Sequence, residues 1–412
     1  MRKIMACLDV GSDNVKLVVG EMVRKKLNVL AVASSPSEGV KNGMVEDPNV
    51  LLEPLKDVIQ KCEEVIGLKI RQMIVCVPSN DAEFSVVTGD IVVQSEDHTI
   101  GGVDVIKVVQ RAIKSKKSEE LEFISIMPTS FTLDDERTVR DPKGLISTTL
   151  SVRGVMASTP KKNIYPVLAC LESLDIMVVD IALGSIGDYF EFKDKELDKE
   201  IGIVINLGAD TTTVSVFNKG VLTNTKVISL AGKNIDNDIS FVYKLPMKTA
   251  KELKESFALA HNSMSQSSDV VEVENKFSEK VKIDQYEISE IVMSRLAEIL
   301  NLSKKEINHL TKKEISYIIC TGGLTEIKDF NLLLDEIFGK QVKIGLMKEI
   351  GVRDNKYSSC VGLIKYYASN ARLKDRDFSI FSIEEQQLLS GANLEEQDES
   401  MIGKLFGYIF NG

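Results

Sequence analysis

The sequence has little that points to a metal centre, a disulfide framework or a membrane-spanning segment. Its three histidines have no nucleophile or metal-ligand motif around them, and no apolar stretch approaches the ~20 residues that span a bilayer. The cysteines are scattered without paired spacing, mostly in apolar runs, so we expect small core residues in a reducing cytoplasm. They are Cys7, Cys62, Cys76, Cys170, Cys320 and Cys360.

The amino terminus begins like a signal peptide but lacks its long apolar region. Asp9 interrupts the apolar run after a few residues, which predicts a first β-strand instead. The net charge of −10 argues against a nucleic-acid partner, because phosphate backbones require clustered Lys and Arg. With 412 residues, 43% of them apolar, the chain is long enough for two or more globular domains.

What the sequence does contain is one short pattern that occurs twice, at residues 8–21 and 205–217. Each copy has an apolar run, an acidic or amide residue, a tight polar turn with glycine, and a second apolar run. This pattern predicts a two-stranded hairpin. Glycine lets the backbone come close to a phosphate, and the N–H groups of such a tip can point at an anion. Two tips that face each other would hold a nucleotide phosphate tail between two similar domains.

A single turn of this kind is more often an ordinary hairpin, so the order of the elements matters. A glycine pair, Gly322 and Gly323, follows the apolar run at 317–320. The two turns followed by this pair resemble the ATPase superfamily of actin, hexokinase and the heat-shock ATPases. The resemblance implies an α/β, actin-like two-domain fold of duplicated ribonuclease-H-like domains, here with an inserted small α+β subdomain.

Changes in the pattern of predicted strands and helices along the chain predict the domain organisation. Three strands, a helix and a further strand are a typical start of an α/β domain, and the alternating strands after residue 81 interrupt it. The predicted segments are the first actin-like domain (1–81), the inserted α+β subdomain (82–160), the completion of the first domain (161–200), the second domain (201–372, with a small subdomain at about 237–312), an acidic linker (373–400) and an amphipathic helix (401–412).

The two turns and the glycine pair supply candidate contacts for ATP and Mg²⁺. Asp9 is placed to hold the water shell of Mg²⁺, which prefers oxygen ligands. Lys16 lies at a spacing seen in actin, but it fits a solvent-facing strand position equally well. Lys251 and Glu252 fit either a contact with the ribose or base or a solvated helix face. The other predicted ATP contacts are Gly11, Ser12, Asn14, Gly208, Ala209, Asp210, Thr211, Gly232, Gly322 and Gly323.

The second turn argues against fast hydrolysis. Superfamily enzymes that hydrolyse ATP usually have aspartate where this chain has Asn206, and a neutral amide cannot act as a base or offer negative charge to Mg²⁺. Asp210 adds an anion beside a phosphate, which is unfavourable unless a metal ion or a lysine offsets it. We expect nucleotide binding with slow or absent hydrolysis, and no catalytic residue is assigned.

The last residues form an apolar stripe beyond the polar, acidic linker. Ile402, Leu405, Phe406 and Ile409 follow helical spacing, and Met401 and Tyr408 widen the stripe. Such a helix either folds back onto the body or lies in a membrane interface, and the long acidic linker favours the membrane. Because Lys404 is the only basic residue of the stretch, a single copy should bind lipid weakly, and an array would gain by avidity. The predicted membrane contacts are Met401, Ile402, Leu405, Phe406, Tyr408, Ile409 and Phe410.

Several segments together resemble the FtsA family of bacterial cell-division proteins, over nearly the whole chain. The most family-specific segment, at 126–145, lies inside the inserted subdomain. The other segments are 8–21, 39–47, 231–239, 250–254, 321–323 and 361–363. This chain departs from the family pattern in Asn206, in Asn14 where lysine is common, and in its poorly basic terminal helix.

The resemblance implies a cytoplasmic, actin-like ATP-binding protein that polymerises. Such a protein would tether filaments of the tubulin homologue FtsZ to the cytoplasmic face of the membrane at the division site. The C-terminal tail of FtsZ would dock on the small subdomain within about 237–312. The inserted subdomain would serve filament contacts and other division proteins.

Two other classes of protein share parts of this pattern. The related actin-like ATPases of type IV pilus assembly have the same inserted-module architecture, but the terminal helix after an acidic linker favours cell division. A small-molecule kinase of the same superfamily would need a base and a substrate pocket in the cleft. No motif for either is present, and Asn206 counts against this alternative.

Overall fold

The computed structural model describes residues 3–23, 26–114 and 120–373. In chain order, the first half contains β1 (Lys3–Val10), β2 (Asn14–Val23), β3 (Lys26–Pro36), β4 (Val40–Lys41), β5 (Met44–Val45), α1 (Pro48–Ile66), β6 (Gln72–Val77), β7 (Glu83–Val92), α2 (Gly102–Lys114), β8 (Leu121–Leu133), β9 (Thr138–Val139), β10 (Thr149–Pro160), α3 (Tyr165–Ser173), β11 (Met177–Leu183) and α4 (Gly184–Phe192). The second half contains β12 (Ile201–Leu207), β13 (Thr212–Asn218), β14 (Val221–Ile228), α5 (Gly232–Tyr243), α6 (Met247–Ser256), β15 (Val270–Glu274), β16 (Lys280–Asp284), α7 (Gln285–Leu310), β17 (Tyr317–Thr321), α8 (Phe330–Phe338), β18 (Val342–Ile344) and α9 (Ser358–Leu373). The predicted linker beyond residue 373 and the predicted helix 401–412 lie outside the described residues.

Two five-stranded sheets with the same topology form the two halves. The first has the order β11-β6-β1-β2-β3, and the second has the order β14-β13-β12-β17-β18. In each sheet an antiparallel meander of three strands is extended by parallel strands on the side of its first strand. The duplicated α/β architecture predicted from the repeated turn pattern is therefore confirmed.

A smaller antiparallel sheet, β7-β10-β8-β9, carries α2 on one face and forms the inserted subdomain. The apolar face of α2 is buried against it through Val105, Val108 and Ala112. A Cβ at Gly89 in β7 would stand 2.6 Å from both the carbonyl oxygen of Val108 and the amide nitrogen of Ala112. Glycine is therefore what lets the helix backbone lie directly on the strand.

Helices α4 and α9 cross beneath the cleft between the two halves. Helix α4 contacts β11 of the first sheet and β12 of the second, while α9 packs on β1, β2 and β6. A Cβ at Gly362 would stand 1.7 Å from the carbonyl oxygen of Gly187, so the two backbones touch. Below the crossing, Tyr189 stacks on Phe217 at 4.2 Å between ring centroids. Buried side chains of both halves meet here, so the crossing joins the two domains.

A buried cluster of charges flanks the same crossing. Lys365 on α9 lies 2.7 Å from Glu191 on α4 and also contacts Glu349. Burial and the hydrogen bond to Glu349 raise the pKa of Glu191 to about 8, although Lys365 opposes the shift. Burial alone would raise the pKa of Glu349, but the hydrogen bonds from Glu191 and Lys365 lower it. The shared proton therefore resides on Glu191.

We expect Glu191→Gln to flatten the dependence of stability on pH between about 5 and 8. In this range folded Glu191 holds a proton that the unfolded chain, with the ordinary pKa of 4.5, has released. Wild-type stability should therefore fall as pH rises, by up to about 1.4 kcal/mol per pH unit from this group. Urea unfolding at pH 6 and pH 8 measures the difference. Glu196→Gln, at a side chain that is 81% exposed, is the control and should keep the wild-type slope; equal slopes in wild type and Glu191→Gln would contradict the assignment.

Candidate functional site

The two predicted turns have the same local geometry at the ends of β1 and β12. The amide of Gly11 donates to the carbonyl oxygen of Asn14 at 3.1 Å, and the amide of Gly208 donates to that of Thr211 at 3.0 Å. A Cβ at Gly208 would stand 2.9 Å from the Thr211 carbonyl oxygen, so the turn has no room for a side chain there. Each turn thus closes on its own backbone, and residues of both turns line the cleft.

The turns line two adjoining cavities between the domains. The outer cavity has a volume of about 470 Å³, within the usual range for a small-molecule site. Predicted contacts that line it are Gly11, Ser12, Asn14, Lys16, Gly208, Ala209, Gly232, Lys251 and Gly323. The inner cavity is smaller, about 150 Å³, and additionally meets Asp9, Asp210, Thr211 and Gly322.

Glu252 is the one predicted contact that lines neither cavity. Its side chain is exposed on α6, while Lys251 and Glu255 of the same helix reach the outer cavity. The sequence reasoning also missed several lining residues, of which Asp13 and Lys233 stand next to predicted ones. The missed residues of the outer cavity include Asp13, Lys233, Asp236, Lys254, Glu255, Asp354 and Lys356.

The two members of the glycine pair differ in why a side chain is excluded there. Gly322 has φ +94°, and a Cβ there would stand 2.5 Å from the carbonyl oxygen of Leu207. This position needs glycine for the fold itself. Gly323 has open space within 4 Å of its Cβ position, and it lines both cavities. A side chain at Gly323 would therefore occupy the room where a ligand would lie.

Five lysines around the cavities are each paired with an aspartate. The Nζ–carboxylate pairs are Lys16–Asp9 at 2.6 Å, Lys233–Asp210 at 2.8 Å, Lys251–Asp13 at 2.7 Å, Lys254–Asp236 at 2.7 Å and Lys356–Asp354 at 3.0 Å. Burial would lower the pKa of Lys16, but the carboxylate of Asp9 outweighs it and raises the pKa above its ordinary value. Lys16 is thus a largely buried cation that lines the cavities rather than a solvent-facing residue. The lysines give the cleft the donors that a polyphosphate requires.

Several of these contacts cross from one domain to the other. Lys251 on α6 reaches Asp13 in the first turn, and Lys233 on α5 donates to the carbonyl oxygen of Ser12 at 3.0 Å. The amide of Asn42 donates to Asp210 at 2.9 Å. The negative charge of Asp210 is therefore offset by Lys233 and by a backbone N–H. An anion beside a phosphate was expected to need such a partner. These charged and polar groups therefore connect the two domains across the cleft.

The carboxylate of Asp188 is the least expected feature of the inner cavity. It lies on α4 with a residue exposure of 2% and accepts a hydrogen bond from the Asn206 amide at 2.7 Å. Ser358 and Ser359 donate to its other oxygen at 2.6 and 2.8 Å. Burial raises the pKa of Asp188, although these three hydrogen bonds oppose the shift.

The residues at the cleft suit a magnesium-bound nucleotide. Glycine turns and clustered lysines match phosphate oxygens, and Asp9 can hold water around Mg²⁺, which usually keeps several waters. Within residues 3–23, 26–114 and 120–373, no three His, Cys, Asp or Glu side chains are grouped so as to hold a metal ion.

The fold and the cleft define an actin-like two-domain protein with an inserted subdomain. The chain aligns with the type IV pilus biogenesis complex PilM–PilN at a TM-score of 0.58 and 15% identity, covering 90% of this chain and 98% of that one. It aligns with MreB5 of Spiroplasma citri bound to ADP at a TM-score of 0.57 and 13% identity, covering 90% and 99%. At these identities the likeness concerns the fold alone.

The family follows from the sequence comparisons. The model for the cell division protein FtsA matches residues 203–362, and the model for the SHS2 domain inserted in FtsA matches residues 81–157. Cell division protein FtsA of Bacillus subtilis (strain 168) is 29% identical over 377 residues, 91% of this chain and 86% of that protein. FtsA of Enterococcus hirae is 27% identical over 365 residues, 88% and 82%. The chain belongs to the FtsA family of cell-division proteins, which confirms the resemblance seen in its motifs.

Proposed function

We propose that this protein binds Mg-ATP in the cleft, polymerises, and tethers FtsZ filaments to the cytoplasmic face of the membrane at the division site. The observation that carries the nucleotide part is the pair of equivalent glycine turns, which face each other across a lysine-lined cavity. Actin-like relatives of the same fold support it, since structures of MreB5 of Spiroplasma citri are bound to ADP and to AMPPNP. When the nucleotide binds, its phosphate oxygens replace the aspartate carboxylates as partners of the lysines.

Hydrolysis is slow or absent in this proposal. Asn206 stands where superfamily ATPases usually have a carboxylate, and its amide group is engaged by Asp188 at 2.7 Å. An amide side chain cannot take a proton from an attacking water. The nucleotide therefore serves to hold the two domains together rather than to drive rapid turnover.

The small subdomain around α5 to α7 offers a surface for the C-terminal tail of FtsZ. Phe241 and Phe277 are 74% and 70% exposed, and Met264 is 55% exposed. Exposed large apolar side chains of this kind are candidates for a contact with another protein. We place the FtsZ contact on this subdomain and leave self-association and other division partners to the remaining surfaces, including the inserted subdomain.

Attachment to the membrane depends on the amphipathic stripe at 401–412, which lies outside the described residues. The described part of the chain contains no helix with the length and apolarity needed to cross a bilayer. A peripheral helix would bind through its buried Phe and Ile area, with slight help from charge. The weak membrane binding of a single terminal helix would be strengthened by avidity in a polymer that carries many copies.

Sedimentation with liposomes tests the tether. We expect the full chain, with Mg-ATP, to carry FtsZ filaments into the liposome pellet, and a variant without residues 401–412 to leave both proteins in the supernatant. FtsZ without its C-terminal tail is the control for the second contact and should not pellet with the full chain. Unchanged pelleting of the shortened variant would reject the anchor, and pelleting of tailless FtsZ would reject the proposed docking.

A further inference from the structure

Asp188 and Asn206 form a polar pair at the meeting point of α4, β12 and α9. One oxygen of Asp188 accepts from Asn206, and the other accepts from Ser358 and Ser359. The NH₂ group of Asn206 is the side that faces Asp188, and it donates to the carboxylate as the two serine hydroxyls do. The orientation of this amide is therefore set by Asp188.

The carbonyl oxygen of Asn206 consequently points the other way. It lies 2.6 Å from the position that a Cβ of Gly322 would take, in a space that only glycine leaves free. Asn206, Asp188 and Gly322 all line the inner cavity, where Asp9 also lies. Asn206 of β12 thus has its neutral oxygen beside Gly322 at this cavity, and the carboxylate of Asp188 on α4 lies on the other side of the amide.

We propose that Asp188 is a positioning residue that holds the Asn206 oxygen toward the magnesium side of a bound nucleotide. The inference rests on the proposed nucleotide site. In this arrangement an amide stands at position 206, where superfamily ATPases usually have aspartate, and the nearby carboxylate belongs to Asp188 on α4. Because Ser358 and Ser359 belong to α9, the same carboxylate connects the cavity to the element that joins the domains.

Three variants test the pairing of Asp188 with Asn206, and their melting temperatures are measured without nucleotide. Asn206→Asp places two carboxylates in contact in a buried site, so the melting temperature should fall by at least about 5 °C. Asp188→Asn removes the carboxylate but keeps the shape, and should cost less. The double variant Asp188→Asn/Asn206→Asp restores one carboxylate and one amide with the donor reversed, and should recover at least about half of the loss.

Nucleotide binding supplies the readout that a purely structural role would not move. In the double variant the carboxylate faces the inner cavity, so Mg²⁺ should lower the Kd for ATP by a factor on the order of ten more than in the wild type. Titration calorimetry of ATP with and without Mg²⁺ measures this factor. Recovery of the melting temperature without a larger effect of Mg²⁺ would overturn the orientation of Asn206.

The two proposals fail in different measurements. An Asn206→Asp variant as stable as the wild type, or a double variant no more stable than Asn206→Asp, would overturn the pairing inferred here, whatever the protein binds. Absence of ATP binding by the wild type would instead overturn the proposed function and, with it, the role of the pair toward Mg²⁺, while the melting temperatures still decide the pairing.

Discussion

In the Gly323→Val variant, we expect Mg-ATP to lose its effect on the melting temperature. At 100 times its Kd, a ligand that binds only the folded state stabilises it by about 2.7 kcal/mol, a rise of about 3 °C in melting temperature for a chain of 412 residues. Gly323 lines both cavities and has open space around its Cβ position, so valine fills the room that the ligand needs. The loss of affinity should be at least about 100-fold, the order at which the shift disappears.

The same variant should fold as well as the wild type when nucleotide is absent. No heavy atom stands within 4 Å of the Cβ position, and its backbone is outside the left-handed region. Gly101→Val is the matched control, because Gly101 has similar room in the inserted subdomain and lies away from both cavities. Thermal scans of the three proteins with and without Mg-ATP decide the matter. A preserved shift in Gly323→Val would place the nucleotide elsewhere.

Gly362→Ala should destabilise the whole protein strongly, against the trend of helix propensity. In an ordinary helix interior this change would stabilise by about 1 kcal/mol. Here the new Cβ would stand 1.7 Å from the Gly187 carbonyl oxygen and 2.8 Å from the Glu191 amide nitrogen. Both are backbone atoms that no rotamer change can move, so α4 and α9 must separate. We expect a loss of at least about 3 kcal/mol of unfolding free energy.

Urea unfolding of Gly362→Ala measures this loss. Gly323→Ala makes the same chemical change where the Cβ meets nothing within 4 Å, and should stay within about 0.5 kcal/mol of the wild type. Since the crossing joins the two domains, Gly362→Ala should also weaken Mg-ATP binding by loosening the cleft. Wild-type stability of Gly362→Ala would show that the helices do not touch as described.

The turns and the glycine pair were predictable because their signal is local. Glycine at 11 and 208 is required by a tight bend within four residues, and the flanking strands alternate with the period of a hairpin. Lys16 was recognised as a candidate contact, but the sequence did not decide between this role and a solvent-facing position. The burial of its side chain depends on α9, which begins at residue 358. Only the folded chain shows that Lys16 donates to the carbonyl oxygen of Lys356 at 3.2 Å and pairs with Asp9.

Glu252 illustrates a second limit of local reasoning. Helical periodicity predicts that Lys251 and Glu255 share a face and that Glu252 lies on a different one. Which face meets the cavity is set by how α6 packs, through Ala250 and Leu253, on the second domain. The cavity receives Lys251 and Glu255, and leaves Glu252 exposed.

The sequence by itself determined the duplicated α/β fold, the two glycine turns, the inserted subdomain and the family, because these follow from patterns within short segments. The tertiary structure alone decided that Asp188 stands behind Asn206 and that α4 and α9 touch at Gly187 and Gly362. Asp188 and Ser358 are 170 residues apart in the chain. No local pattern marks such a pair, since a buried carboxylate has a partner only where packing brings distant donors within hydrogen-bond distance.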